Sequence, residues 1–358
     1  MESAKTIQYI PEEIIIQILQ RLTVLSLLKF RCVCKLWFSL ISWSKFKKTH
    51  LNHSKNSQNY ANYHLILSPN QYSNPSFSCS LSSIFDKTAP FNLKPLNMQD
   101  SGVSRMRIFG HCNGLLCVSV NAELLLYNPS TRKSKKLPAS VNDLKTYGLC
   151  YNESIDDYKV VELMNPCRQY FIKVDGGVSI FSLRTQSWMK RIIGGCFRDI
   201  STGLPIGGVL HWKNYSARQI VTVDTLTCTY ATLERPNFDV LPGLLFWDVM
   251  EFGGGLGVYR HAFRTSVEIW TMNTSSWTKV LFIPYRGSPG GTRFPLLGLK
   301  DAHILFYNRR GRLMVYNSRE NSYVYRRIPN DTRELNVNRF VPSPVYIESL
   351  IEPSFDQE

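Results

Sequence analysis

Nine cysteines and seven histidines are the side chains of this 358-residue chain best suited to hold a metal or attack a substrate. Their spacing suits neither task. Cys32 and Cys34 are two positions apart, and Cys112 and Cys117 are five apart. No pair has the two-residue gap of a zinc knuckle or a redox dithiol. Free thiols of this kind pack as small apolar groups, so reduced and mostly buried cysteines are expected. The histidines form no His-Glu-x-x-His cluster. Gly253-Gly254-Gly255-Leu256-Gly257 lacks the Lys-Ser/Thr of a phosphate loop and leads into a strand pattern, not a helix. Gly287-Ser288-Pro289-Gly290 lacks the glycine spacing of a nucleophile elbow. Asp156-Asp157 precedes a strand pattern, where turn chemistry accounts for both carboxylates. No catalytic residue, metal ligand or cofactor is therefore assigned.

What remains is chemistry for binding. The formal net charge is +15, which favours contact with acidic surfaces without choosing among protein, nucleic acid and membrane. Basic residues cluster at Arg132-Lys133 with Lys135-Lys136, at Arg309-Arg310 with Arg312, and at Arg326-Arg327. All lie in or beside expected turns, where charged residues are commonly just solvated. The sharper expectation is a basic rim for an acidic target, with Arg309, Arg310 and Arg312 as candidate contacts. Of the tryptophans, Trp188 and Trp277 recur at matching positions of a repeat and suit packing between units. Trp247 breaks that register and is the candidate exposed recognition residue, since aromatic side chains anchor interfaces.

The elements that must position these groups fall into two textures. Apolar residues make up 44% and charged residues 19%, which is globular composition for about two domains. No signal-peptide pattern opens the sequence, and no apolar run reaches the ~18 residues of a membrane span. A cytoplasmic or nuclear location is expected, with no membrane partner.

Residues 7–50 read as helical. Pro11 suits a helix's first turn, and Glu12 and Glu13 suit the positive end of its dipole. Ile14, Ile15, Ile18, Leu19 and Leu22 recur at helical spacing, with Ile16 off that stripe. Ser26 is placed to cap a second helix through Leu27, Leu28 and Phe30. A third apolar group follows at Val33, Leu36, Trp37, Leu40 and Ile41. About 40 helical residues bury little surface on their own, so so many large apolar side chains imply packing on a neighbour or on a partner. Residues 51–62, polar and rich in Asn and Ser, read as a linker.

The segment IPEEIIIQILQRLTVLSLLKFRCVCKLWFSLISWSKF resembles an F-box in the form common in plants. Ile10, Thr23 and Cys34 stand where that family usually has Leu, Pro and Ser. The resemblance implies a three-helix unit that binds a Skp-type adaptor and, through it, cullin and RING subunits. It implies adaptor contacts from Ile10, Pro11, Ile14, Ile18, Leu19, Leu27, Leu28, Val33 and Trp37, whereas Leu22 and Phe30 are as well explained by the helices' own core.

Residues 63–350 are repetitive. Val178-Ser179-Ile180-Phe181 and its continuation through Trp188 match Val267-Glu268-Ile269-Trp270 and its continuation through Trp277 in register. Five related centres, at Tyr127, Phe181, Val223, Trp270 and Tyr316, are spaced by 54, 42, 47 and 46 residues. Each copy alternates as strand, turn and strand, with Asn, Ser, Thr or Asp at the turn. Roughly four strands per unit at a period of about 40–50 residues predict a β-propeller of about six blades. Tyr346 to Leu350 is placed to close the ring beside the first strands. NGLL at 113–116, YNPSTR at 127–132 and DDYKVV at 156–161 together resemble the kelch-like F-box-associated domain found behind plant F-boxes.

The expected architecture is thus a small all-α F-box followed by an all-β, propeller-like domain. The expected function is that of a non-enzymatic substrate-recognition subunit of a Skp-cullin-F-box ubiquitin ligase, marking a target for ubiquitination and proteasomal degradation. The alternative is a basic propeller scaffold that binds nucleic acid or acidic proteins without ligase activity. No RNA-binding or zinc motif supports nucleic acid as the partner.

Overall fold

The computed structural model describes residues 10–57, 60–69, 76–86, 93–96, 106–140, 145–164, 176–193, 201–214, 218–238, 247–262, 266–284, 293–298, 303–308, 312–327 and 340–353. Four helices come first: α1 (Glu12–Gln20), α2 (Val24–Phe30), α3 (Lys35–Ser42) and α4 (Ser44–Asn56). The fourth runs six residues into the segment read as a linker, with Leu51 and Ser54 buried. Pro11 is the N-cap of α1, and its carbonyl accepts from the Ile14 and Ile15 N–H groups at 3.1 and 3.2 Å. The cap of α2 is Thr23 rather than Ser26. Thr23 Oγ1 accepts from the Ser26 N–H at 3.3 Å, satisfying one of the helix's free donors. The residue that replaces the family's usual proline thus supplies the cap.

Strands follow almost without interruption. They are β1 (Tyr63–Pro69), β2 (Phe77–Ser80), a short α5 (Leu81–Phe85) and β3 (Lys94–Pro95). Then come β4 (Met106–Cys112), β5 (Leu115–Val120), β6 (Glu123–Asn128), β7 (Lys133–Ser140), β8 (Lys145–Asn152), β9 (Asp157–Met164), β10 (Gly176–Ser182) and β11 (Ser187–Ile193). The next eight are β12 (Leu204–Ile206), β13 (Val209–Asn214), β14 (Gln219–Asp224), β15 (Thr229–Glu234), β16 (Trp247–Phe252), β17 (Gly255–Ala262), β18 (Ser266–Asn273) and β19 (Ser276–Pro284). The last are β20 (Arg293–Gly298), β21 (His303–Asn308), β22 (Arg312–Asn317), β23 (Ser322–Arg327) and β24 (Phe340–Ile347).

They form six four-stranded antiparallel sheets, the blades of a propeller. Five blades are sequential meanders. The sixth joins the two ends of the domain: β24 pairs with β1, Tyr346 opposite His64. Strands β4, β8, β12, β16, β20 and β24 pack side by side around the axis. Apolar cores lie between successive blades and close the circle. One joins the β4–β7 and β8–β11 blades through Leu126, Tyr147 and Phe181. Another joins β24–β1 to the β4–β7 blade through Ile66, Leu116 and Tyr346. Fully burying a leucine stabilises by about 2 kcal/mol, so the ring is held by many such positions distributed evenly.

Two local devices repeat and explain the periodic sequence. In four of the five copies the residue after the central aromatic or valine bonds the turn ahead of it, Ser182 Oγ accepting from the Thr185 N–H in the second. Asn128 Oδ1 accepts from Ser130 and Thr131 N–H, Asp224 Oδ1 from Leu226 and Thr227 N–H, and Asn317 Oδ1 from Arg319 and Glu320 N–H. Outer strands are also stitched to the preceding blade. Trp188 Nε1 donates to the Pro138 carbonyl at 3.1 Å, Trp277 Nε1 to the Glu234 carbonyl at 2.8 Å, and the Tyr323 hydroxyl to the Pro284 carbonyl. Near the axis Gly148 packs so close to Trp212 that an added Cβ would lie 2.8 Å from that ring.

Candidate docking face

The helical unit has its own core of Leu19, Val24, Leu27, Ile41 and Phe46, completed by Leu350 from the far end of the fold. Ile15, Ile16, Leu22, Leu28, Phe30 and Trp37 pack around it, half-buried. The single apolar stripe expected on α1 therefore divides. Ile15, Leu19 and Leu22 turn inward, joined by Ile16 although it reads as lying off the stripe, while Ile14 and Ile18 turn to solvent. Helical periodicity finds both sets but does not say which side the core occupies.

The outward set is the candidate docking face. Ile10 is 58% exposed and Val33 60%, and Ile14, Ile18, Leu25, Leu36, Phe38 and Trp43 are also exposed. Pro11 lies open at the start of α1. Leu19 and Leu27, expected as adaptor contacts, are 0% exposed and serve the helical core instead. Leu28 and Trp37 are intermediate, with the Trp37 ring 5.3 Å from that of Phe30. Leu25, Phe38 and Trp43 were missed as surface residues. Their signal was present, since a 40-residue unit cannot cover that many apolar side chains. Cations cover part of this surface: the Arg31 guanidinium lies 4.9 Å over Phe38 and Lys45 Nζ lies 5.5 Å over Trp43. Exposed apolar side chains in this number on so small a unit mark a protein interface.

A strap, residues 348–352, fixes this unit to the propeller. The Glu348 N–H donates to the Asn62 carbonyl at 2.7 Å. Asn128 Nδ2 donates to the carbonyls of Ser349 and Ile351 at 3.0 and 2.6 Å. Gly114, at φ +85°, leaves room for it: a Cβ there would sit 2.4 Å from Ser349 Oγ. Glu352 takes Lys133 at 2.8 Å and Lys47 of α4 at 3.6 Å. Burial opposes ionisation of Glu352, but the hydrogen bond from Lys133 and the charges of Lys47, Lys133 and Arg31 outweigh it and lower its pKa. Beside the strap, Lys48 Nζ pairs with Asp156 at 2.5 Å across the same junction. Burial again opposes the Asp156 charge, and hydrogen bonds from Lys48 and Tyr151 prevail, lowering the pKa.

The propeller candidates fare differently. Trp247 is 3% exposed and forms part of an interblade core with Phe238 and Val258. Lys213 Nζ lies 4.7 Å over its ring and donates to its carbonyl, and burial lowers the Lys213 pKa to about 8. Trp247 is thus a packing residue, in the same core against which Trp270 and Trp277 pack. Arg309 and Arg310 lie outside the described residues. Arg312 opens β22, paired with Asn308 and Arg327. Two of the other basic residues are answered within the chain: Lys133 by Glu352 and Lys136 by Glu123. Asp157, expected in a turn, is instead the buried first residue of β9, and its carboxylate accepts from the Ser182 hydroxyl and the Arg184 N–H and pairs with Lys159. No group of three or more His, Cys, Asp or Glu suited to a metal ion occurs among the described residues. No helix among them is long and apolar enough to cross a membrane.

Comparison with known proteins matches both halves. Residues 7–49 match the family described as F-box domain, and residues 51–309 match the F-box associated beta propeller domain. An F-box/kelch-repeat protein of Arabidopsis thaliana is 27% identical, the alignment covering 96% of each chain. A putative F-box protein of the same plant is 28% identical over 65% of this chain and 62% of its own. A further Arabidopsis thaliana F-box protein is 26% identical over 76% of this chain and 73% of its own.

Proposed function

From the premise that this chain belongs to the plant F-box proteins with an F-box-associated β-propeller domain, we propose that it is the substrate-recognition subunit of a Skp-cullin-F-box ubiquitin ligase. Residues 7–50 dock on a Skp-type adaptor, which brings cullin and RING subunits. Residues 63–350 hold a target protein, and α4 with residues 51–62 joins the two. The observation that carries this reading is the exposed apolar face of α1 and the α2–α3 region on a unit too small to need it for its own core. The chain's contribution is proximity: the target's lysines are held near a ubiquitin-loaded enzyme, and the bond-making groups belong to other subunits. An acidic target suits the +15 charge, and its binding would weaken as salt is raised.

Co-expression with a Skp-type adaptor tests the docking step. The unaltered chain co-purifies with it. A variant carrying Ile14→Asp and Ile18→Asp does not, because two charges would be desolvated against an apolar partner. Both residues are exposed, so the variant keeps its fold and a negative result speaks to docking alone. Equal recovery of the two chains, or of neither while both are folded, defeats the reading.

A further inference from the structure

Cys32 and Cys34 are exposed and free, whereas Cys79, Cys117 and Cys150 are buried. The two sit in the turn between α2 and α3, on either side of Val33, one of the most exposed apolar residues of the docking face. Cys32 N–H donates to the Lys29 carbonyl and Val33 N–H to the Phe30 carbonyl, so this turn is held in place by its backbone. Cys34 is the N-cap of α3 and stands where the family usually has serine. Its side chain makes no cap hydrogen bond, so the sulfur is not engaged by its own helix. Lys29 and Lys35 flank the pair in solvent, and Arg31 is held nearby through Ser42 at 3.0 Å. Arg31 also acts electrostatically on Glu352 of the strap, helping to lower its pKa. The surroundings are therefore cationic.

We propose that Cys32 and Cys34 are a thiol modification site for low-molecular-weight disulfides such as glutathione disulfide, and that modification there excludes the adaptor. The chemistry balances as a thiol–disulfide exchange. A thiolate of the pair attacks one sulfur of the disulfide, a protein–glutathione S–S bond forms, the original S–S bond breaks, and one glutathione thiolate leaves and takes up a proton. The oxidant is the disulfide itself. Glutathione disulfide is anionic, so Lys29, Arg31 and Lys35 favour its approach. The product carries a bulky, charged tripeptide beside Val33, Leu36 and Phe38. That group cannot share the surface with an apolar partner. Docking and modification are then mutually exclusive, and by linkage a bound adaptor protects the thiols.

Cys112 and Cys228 are of intermediate exposure, whereas burial sets the remaining described thiols apart: it pushes Cys79 up to about 12 and Cys150 up to about 11, and raises Cys117 further. Such thiols are poor nucleophiles and are out of reach.

The inference rests on the docking reading, and one experiment separates the two. The purified full chain, reduced, is titrated with the Skp-type adaptor, then again after treatment with glutathione disulfide, and again after dithiothreitol. Peptide mapping by mass locates each glutathionyl group. A variant with Cys32→Ser and Cys34→Ser runs alongside. The expected result is glutathionylation at Cys32 or Cys34, an adaptor affinity at least tenfold weaker, full recovery on reduction, and a variant that binds normally and ignores the disulfide. Two outcomes overturn the inference: neither thiol is modified, or modification leaves the affinity unchanged. A double variant that loses affinity equally on treatment also overturns it, by placing the effect at another cysteine. Failure of the reduced chain to bind the adaptor at all is a different result, and removes the docking reading and the exclusion together.

Discussion

The helical unit and the propeller use large apolar side chains in opposite ways. Among the described residues eight exposed ones fall between Ile10 and Trp43, on a few turns of helix. Those described in the propeller, several times longer, are Met164, Met189, Leu226, Val280, Phe282 and Tyr325, spread over four blades. Its apolar residues go instead into the cores between neighbouring blades. A ring of sheets can satisfy itself, because every blade has two neighbours. A bundle of four short helices cannot, and it ends up both borrowing a residue, Leu350, and leaving a face uncovered.

That contrast can be broken most forcefully at the borrowed residue. Leu350→Asp would bury a carboxylate without a partner at a cost of about 4 kcal/mol or more, enough to unfold a unit this small. Hydrogen exchange should show α1–α4 exposed to solvent while the strands stay protected. Uniform protection in both regions would mean that the helical unit does not depend on the strap.

A crossed pair of substitutions comes next. Leu126→Ala removes packing from an interblade core and should cost about 3 kcal/mol of stability while leaving adaptor affinity alone. Ile18→Asp should do the reverse, weakening the adaptor by about 3 kcal/mol with the thermal midpoint unmoved. Matched effects on both readouts for either variant would erase the distinction between the regions. Smaller again is Trp277→Phe, which keeps the ring but loses the stitch to Glu234. Its expected cost is about 1 kcal/mol, read as a lowered midpoint in urea.

The smallest effect is acid. Glu352 and Asp156 have pKa values lowered in the folded chain, so their contribution is present above the unfolded carboxylate range. It is lost as pH falls through and below that range. The Lys48–Asp156 pair is nearly half exposed on both sides, so it contributes at most about 1 kcal/mol. Hydrogen exchange of α4 should rise at low pH before that of the blades. Simultaneous loss would show that the junction is no weaker than the ring.

How far these regions could be read in advance follows the reach of the contacts. The blade repeat is written locally: Asx-type turns at Asn128, Asp224 and Asn317 and stitching aromatics at Trp188, Trp277 and Tyr323 fall at the same places within a blade, so they declare themselves. The helical stripe was also local, but its division into Ile14/Ile18 and Leu19 depends on where the core lies, and that is set by Phe46 and Leu350. Leu27 was misplaced for the same reason. Trp247 stood out of register and suggested exposure, whereas it fills a core with Phe238, a residue between blades with no counterpart in the repeat. Glu348 to Leu350 of the strap read in the sequence as the end of the closing strand, whereas β24 stops at Ile347, because no period or motif marks where pairing ends and the strap begins.

Closure of the ring by β24, with the strap just beyond it, also sets an order of events during synthesis. The helices and first strands emerge from the ribosome nearly three hundred residues before the partners that complete them, Tyr346 for His64 and Leu350 for Leu19. Contacts of such long sequence separation form late and slowly. Until then one sheet edge and the Leu350 side of the helical core are both uncovered, which makes the nascent chain a client for chaperones. A message truncated before residue 340 would yield a protein that has the docking residues but lacks the innermost strand of one blade and the last residue of the helical core. Such a product would be cleared before it competed for the adaptor, so the fold itself acts as a check that translation has passed residue 350.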